Sequence, residues 1–227
     1  KNTKDILLNV PIPISSGGAN DPIQNAGKIR NQGFEFNIGW NESLNKDLSY
    51  GVSFLGTYNK NEVIALGEGV QPIESGTIHN GTYTSRTLAG YPIGGFWLIP
   101  TDGYFNSAEE VQAYQKDGVL IQPSAEPGDI RFKDTNNDGT INDDDRVYSG
   151  SPFPKFTYSI NGNITYKNVD FSIGFQGVAG NKIYNATRLE LTDVTRGTNY
   201  LASTLDYWTP ENHNASQPRL IWTDPNR

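Results

Sequence analysis

Two stretches far apart in this sequence alternate apolar and polar side chains residue by residue, a pattern that suits a strand with one wet face and not a helix. From Gln32, the side chains of Phe34, Phe36, Ile38 and Trp40 fall on one side, and Gly33, Glu35, Asn37 and Gly39 on the other. After a polar link from Glu42 to Asp47, Leu48, Tyr50, Val52, Phe54 and Tyr58 take one side, with Ser49, Gly51, Ser53 and Thr57 opposite. The second pair sets Phe156, Tyr158, Ile160, Ile164 and Tyr166 against Thr157, Ser159, Asn161, Asn163 and Thr165. It continues with Val169, Phe171, Ile173 and Phe175 against Asp170, Ser172, Gly174 and Gln176. Only Lys167 and Asn168 separate the last two runs, the length of a two-residue hairpin turn. The expectation is two antiparallel hairpins, at about 32–58 and 156–179.

Two architectures use such hairpins. Each run is about 9–11 residues, the length of a tilted transmembrane strand. Rings stand at the ends of the apolar faces (Phe34 and Trp40, Tyr50 and Tyr58, Phe156 and Tyr166), as in the aromatic girdle of a membrane barrel. A soluble sandwich with one solvated sheet face carries the same alternation. Between the hairpins, Asn59 to Lys155 has little periodicity and much Gly, Asp, Asn and Pro. A connection this long is unusual in a compact soluble domain and is generally functional. Outer-membrane barrels pair short turns on one side with long extracellular loops on the other. Within the connection, a short helix is expected from Ala108 to Tyr114, capped by Asn106 or Ser107 and ending near Gly118. A second irregular loop is expected at about 185–227, without strands.

Composition narrows the function classes. With 18 basic against 25 acidic side chains, the net charge is −7, the wrong sign for a nucleic-acid binder. The chain has no Cys, so disulfides, thiol nucleophiles and Cys-zinc sites are out. It also has no Met and opens on Lys1, which implies a processed chain or a piece of a longer one. The apolar run from Ile6 to Ile14 is broken by Asn9 and two prolines and is not a signal peptide. No apolar run is long enough for a transmembrane helix, which leaves a barrel open.

The sharpest chemical motif runs from Asp134 to Asp145 and fits the twelve-residue calcium loop. Asp134, Asn136 and Asp138 stand at loop positions 1, 3 and 5, Gly139 at the sharp turn, and the Thr140 carbonyl at position 7. Asn142 would act through a water, and Asp145 closes the site. Ca²⁺ takes six to eight hard oxygens, which this spacing supplies. Asp at the closing position is shorter than the usual Glu, and the flanks read as extended, so the expectation is a structural clip without paired helices. An ion-free turn rich in Asn, Asp and Gly is the other reading.

Other chemistry is weak. His79 and His213 are far apart; there is no phosphate-binding glycine loop and no nucleophile elbow. Neighbouring carboxylates such as Glu109 and Glu110 read as solvated, so no enzyme is expected. Rings in the long connection, among them Tyr91, Phe96, Trp97 and Tyr104, are candidates for substrate or partner contact; a local core is the competing role.

Several short strings, in order, resemble the SusC/RagA group of TonB-dependent outer-membrane transporters of Bacteroidota. They are Asn31-Gln32-Gly33-Phe34-Glu35, Tyr58-Asn59-Lys60-Asn61-Glu62-Val63, Gly90-Tyr91-Pro92-Ile93-Gly94 and Pro127-Gly128-Asp129-Ile130-Arg131-Phe132-Lys133-Asp134. After the calcium-type loop come Gly150-Ser151-Pro152-Phe153-Pro154, Phe175-Gln176-Gly177, Gly180-Asn181, Trp208-Thr209-Pro210-Glu211-Asn212 and Pro218-Arg219. The resemblance implies an all-β fold: antiparallel strands from the C-terminal half of a large transmembrane barrel of about 22 strands, its lumen plugged, with long extracellular loops. It also implies import of glycans or peptides, energised by the TonB complex through parts absent from this chain, with a SusD-like surface lipoprotein as partner. The plug, the TonB-contacting segment and the final aromatic strand have no counterpart here, so this stretch alone is not expected to transport. The rival is an extracellular calcium-stabilised β-sandwich that binds glycans or mediates adhesion.

Overall fold

The structure, a computed structural model, describes residues 1–9, 23–67, 72–78, 81–197 and 199–222. Its strands are β1 (Asn2–Asn9), β2 (Ile23–Asn45), β3 (Leu48–Leu66), β4 (Ile73–Thr77), β5 (Tyr83–Thr87), β6 (Gly95–Leu98) and β7 (Thr101–Tyr104). They continue with β8 (Gln115–Lys116), β9 (Val119–Leu120), β10 (Ile130–Phe132), β11 (Val147–Gly150), β12 (Phe156–Tyr166) and β13 (Val169–Ala179). Two short helices, α1 (Ala108–Ala113) and α2 (Ala186–Thr192), complete a largely antiparallel β fold, the class expected from the alternation. The chain forms two compact units. One comprises Lys1–Gly76, Ser85–Phe96 and Gly150–Ile183; the other comprises Thr77–Thr84, Trp97–Ser149 and Tyr184–Arg227.

The first unit is built on a five-stranded antiparallel sheet in the order β1-β2-β3-β12-β13. The two hairpins lie side by side: β3 and β12 pair without a break from Leu48–Tyr166 to Tyr58–Phe156. Register aligns the alternation across four strands. Ile38, Phe54, Ile160 and Phe175 form one cross-strand row, and Glu42, Tyr50, Ile164 and Phe171 another. Rows from the opposite face read Asn37, Leu55, Ser159, Gln176 and Asn41, Gly51, Asn163, Ser172. The pleat therefore sorts the sequence into one apolar and one mainly polar face.

The apolar face is uncovered. Phe34 is 60% exposed, Ile38 65%, Phe171 58% and Ile173 45%. Rings lie across glycines of the neighbouring strand: a Cβ on Gly56 would stand 2.5 Å from the Phe36 ring, and one on Gly177 2.4 Å from Tyr158. Since Gly56 faces Phe36 and Gly177 faces Tyr158, each ring shields a ladder that has no side chain there to protect it. Among the described residues no second sheet packs on these side chains, the covering a sandwich would need.

Both tight turns sit at one end of the sheet. The Lys167 amide donates to the Asp47 carbonyl at 2.7 Å, joining the turn of one hairpin to that of the other. Strands β2 and β3 extend well past the alternating runs, through Arg30 opposite Glu62 and Asn31 opposite Asn61. Where β12 ends, the exposed edge of β3 is taken by the long connection: Val63 donates to Tyr91 O and accepts from Gly90 N, each at 2.8 Å. Val63 is fully buried opposite Ile29. The Asn61 side chain also accepts from the Ile93 amide at 2.9 Å. The tyrosine–asparagine string at the end of β3 and the glycine–tyrosine–proline string thus meet in space.

The second unit is held by short elements. Helix α1 is capped by the Ser107 hydroxyl, which accepts from Glu110 N at 3.3 Å. The helix stops at Ala113, short of Gly118, because the chain turns there into the β8–β9 hairpin. Asp117 (φ 50°) and Gly118 (φ 81°) make that two-residue turn, a pair suited to left-handed backbone. Strand β10 pairs with β7, Ile130 opposite Tyr104. The stretch from Asn185, expected to be irregular, carries α2, whose Asn185 side chain caps Arg188 N at 2.9 Å. Residues 223–227 of that stretch lie outside the described residues.

Candidate functional site

The calcium-type loop lies in the second unit, between β10 and a 3-10 turn at Asp143–Asp145. Asp134 accepts from the amides of Asp138 at 3.0 Å and Gly139 at 2.8 Å. The Asn136 side-chain oxygen accepts from the same Asp138 amide at 2.9 Å. Asp138 is the hub: one oxygen accepts from the Thr140 amide and hydroxyl, the other from the side-chain amides of Asn136 and Asn142. These bonds, the Thr140 amide first, pull its pKa down to about 2, so the carboxylate is ionised at neutral pH.

Asp145 closes the loop from inside. It is fully buried, and its two oxygens accept from Thr135 N at 2.7 Å and Asn142 N at 2.9 Å. The Asn142 side chain in turn caps Asp144 N at 2.7 Å. The geometry therefore gathers Asn136, Asp138, Thr140 and Asn142 around shared partners and commits Asp134 and Asp145 to loop amides. Asp134 and Asp145 retain acceptor capacity beyond these bonds, whereas the four acceptor positions of Asp138 are taken by its four hydrogen bonds; the donor set is all oxygen, the chemistry Ca²⁺ takes. Among the described residues, no group of three or more His, Cys, Asp or Glu side chains is placed to hold a metal. A neighbouring cation completes the surroundings. The Lys116 ammonium donates to the Asn137 carbonyl, and its stem would lie 3.2 Å from a Cβ on Gly139. The loop is tied to its support by Tyr114, which donates to Phe132 O at 2.7 Å and accepts from Asp134 N at 3.2 Å. Ile141 is half-buried and lines a small cavity with Ile121 and Phe132.

Two of the four candidate contact rings lie in each unit. Tyr91 and Phe96 belong to the first unit and are half-buried, Tyr91 by its docking on β3. Trp97 belongs to the second, is buried, and meets Tyr148 edge-on at 6.0 Å, a packing position. Tyr104 is half-buried; burial raises its pKa, with Arg188 nearby acting against that. His213 stacks on Trp208 at 5.4 Å, and His79 lies outside the described residues.

One constellation escaped the sequence reading. Asp129 is 1% exposed and receives the Arg219 guanidinium at 2.6 and 3.0 Å, while the Glu126 amide donates to it at 2.8 Å. Arg219 also pairs with Glu126 and, through its amide, with Gly128 O at 2.9 Å. Gly128 (φ 93°) admits no side chain, since a Cβ would stand 2.5 Å from Trp208. The Trp208 indole donates to Asn106 at 3.2 Å, just before the α1 cap. Three of the strings that suggested a family, around Asp129, Trp208 and Arg219, are thus one interlocked brace. Each is a weak signal along the chain; the only cue is that each is a charged or aromatic residue next to, or two positions from, Pro or Gly.

No protein-family model matches the chain. Relatives do. TonB-dependent receptor P26 of Formosa agariphila is 34% identical over 221 residues, covering 96% of this chain and 22% of the relative. TonB-dependent receptor P3 of the same organism is 31% identical, covering 96% and 21%. TonB-dependent receptor SusC of Bacteroides thetaiotaomicron is 26% identical over 190 residues, covering 81% and 17%. Among solved structures, the RagAB peptide transporter superposes with a TM-score of 0.70 at 21% identity, over 99% of this chain and 23% of that one, a likeness of fold. The chain spans about a fifth of the length of the relatives it matches. Its alternating strands, its ordered strings and these relatives agree: the chain is homologous to a stretch of TonB-dependent receptors, SusC among them.

Proposed function

We propose that this chain forms part of the wall and outer loops of an outer-membrane barrel that imports nutrient oligomers. The observation that carries this is the uncovered apolar face, from Phe34 to Trp40 and from Val169 to Phe175, backed by a polar face suited to a lumen. The strands at the two sides of the sheet, β1 and β13, would pair with further strands of the same barrel, since an unpaired edge is costly in lipid. The end of the sheet carrying the long connection would face outward, and the tight turns inward. Glycans or peptides are the expected cargo, TonB the energy source and a SusD-like lipoprotein the partner; a solved relative is described as a peptide transporter. Tyr91, Phe96 and Tyr104 are proposed contacts for cargo or partner.

Calcium in the Asp134–Asp145 loop would act structurally. It would be held by Asp134, Asn136, Asp138 and the Thr140 carbonyl, with Asn142 through water and Asp145 from beneath. Its chemistry there is charge neutralisation, letting three carboxylates share one small loop. Calorimetry with Ca²⁺ tests this part: wild-type heat that disappears in Asp134→Ala supports the site, and equal heats remove it. For transport, the whole receptor is restored to cells lacking it, and uptake of labelled oligosaccharide or oligopeptide is followed with and without TonB. TonB-dependent uptake is the expected result; uptake indifferent to the receptor contradicts it.

A further inference from the structure

We propose that the polar face of the five-stranded sheet carries a subsite for an acidic saccharide unit, at the end away from the tight turns. A cavity of about 350 Å³ opens there within the first unit. That is the lower end of ligand pockets, roughly 300–1,000 Å³, room for one or two small rings. One wall is strand: Thr57 and Thr157 stand directly opposite in the β3–β12 ladder and present two hydroxyls. Beside them Asn31 and Asn61 are clamped. The Asn61 amide donates to Asn31 Oδ1 at 2.8 Å and its own oxygen is held by Ile93 N, which leaves the Asn31 amide hydrogens for a ligand.

The other wall is the segment entering β12. Phe153, half exposed beside Pro154, offers an apolar ring face. Lys155 follows, its backbone fixed by bonds to Ala179 O at 3.0 Å and from Asn59 N at 2.9 Å. Its stem lies along Gly180, within 3.0–3.3 Å of where a Cβ would be. Among the described residues lining the cavity, Lys155 is the sole charged one. An aromatic platform, several neutral hydrogen-bonding groups and one cation match a pyranose ring carrying a carboxylate. A fatty chain would leave the amides and hydroxyls dry. A peptide bound by strand addition would need an open strand edge, and both edges of β3 here are occupied, by β2 and by β12 followed by Gly90–Tyr91.

The subsite rests on the barrel reading, because the polar face must line the lumen for cargo to reach it. The test uses the intact receptor in detergent, with calorimetry against trigalacturonic acid, the neutral trisaccharide cellotriose and the peptide trialanine. The heat-dependent gel mobility typical of folded barrels is checked for each variant. Trigalacturonic acid is expected to bind about threefold tighter than cellotriose, a preference of exposed-ion-pair size that Lys155→Gln removes. Phe153→Ala is expected to weaken both sugars about tenfold. A folded receptor that gives no heat, prefers trialanine, or binds sugar equally in both variants overturns the subsite while leaving the barrel standing. A receptor without barrel mobility overturns the barrel reading instead.

Discussion

The two units of this chain solve the same problem, satisfying backbone polar groups, by opposite means. In the sheet unit the ladder does it: β2, β3, β12 and β13 exchange hydrogen bonds in long registers, shifted only near the two ends of the β2–β3 pair, and side chains are left free to form two distinct faces. In the loop unit side chains do it: Asp129, Asp138, Asp145 and Asp206 each accept from one or more backbone amides. The sheet therefore depends on the chemistry of its faces, while the loop unit depends on individual polar atoms. Substitutions should separate the two regimes.

The largest effect is expected in the brace. Asp129→Ala removes the buried partner of Arg219 and leaves it only the exposed Glu126 carboxylate, and breaking a buried pair costs about 3–5 kcal/mol. Limited proteolysis of the loop unit should accelerate strongly while barrel mobility on gels is retained; unchanged cleavage would mean that the ion pair braces nothing. Next comes the sheet. Ile160→Arg on the apolar face should cost about 2–4 kcal/mol near the membrane midplane. Ser159→Arg, one residue along on the polar face, should cost far less, and equal losses in a membrane-refolding titration would erase the distinction between the faces. Removing the α1 cap with Ser107→Ala should cost about 1 kcal/mol, read as faster amide exchange at Glu110.

The smallest effect concerns pH. Hydrogen bonds from the Asn212 side chain, then from Ser216, lower the Asp206 pKa below its usual 3.8. A carboxylate with a depressed folded pKa adds stability that is present above the unfolded value and lost as pH falls through the folded one. Amide protection of Ser216 should therefore hold from neutral pH down to about 4 and fade below it. In Asp206→Asn that acid step should be missing; a step at the same pH in the variant would assign it elsewhere.

The contrast between the units also explains what could be read from the sequence. Period-2 alternation is a local signal, and Phe34–Trp40, Leu48–Tyr58 and Phe156–Phe175 announced both hairpins. The far ends of β2 and β3 were silent because the alternation lapses there: Arg30 opposes Glu62 and Asn31 opposes Asn61, while buried Ile29 and Val63 pair on the same face as the asparagines. Pairing of β3 with β12 was silent too, since no local pattern spans the long connection between them. Helix α1 was legible from its cap and acidic first turn, whereas its stop was misjudged because Asp117-Gly118 makes a hairpin turn and not a helix end. The calcium-type loop was legible as a string, but not the commitment of Asp145 to Thr135 and Asn142, which depends on the three-dimensional closure of the loop. Arg219 and Asp129 lie 90 residues apart, and only folding makes them partners.

The central claim is that one face of the sheet meets lipid and the other does not. Spin labels at Ile38, Phe171 and Ile173, and on the other face at Asn37, Asn163 and Ser172, test it in the intact receptor reconstituted in bilayers. The first three should relax rapidly with oxygen dissolved in the lipid and little with a water-soluble nickel complex, and the second three should not. Labels at Ile38, Phe171 and Ile173 that are shielded from oxygen, or reached chiefly by nickel, would contradict a membrane-facing sheet.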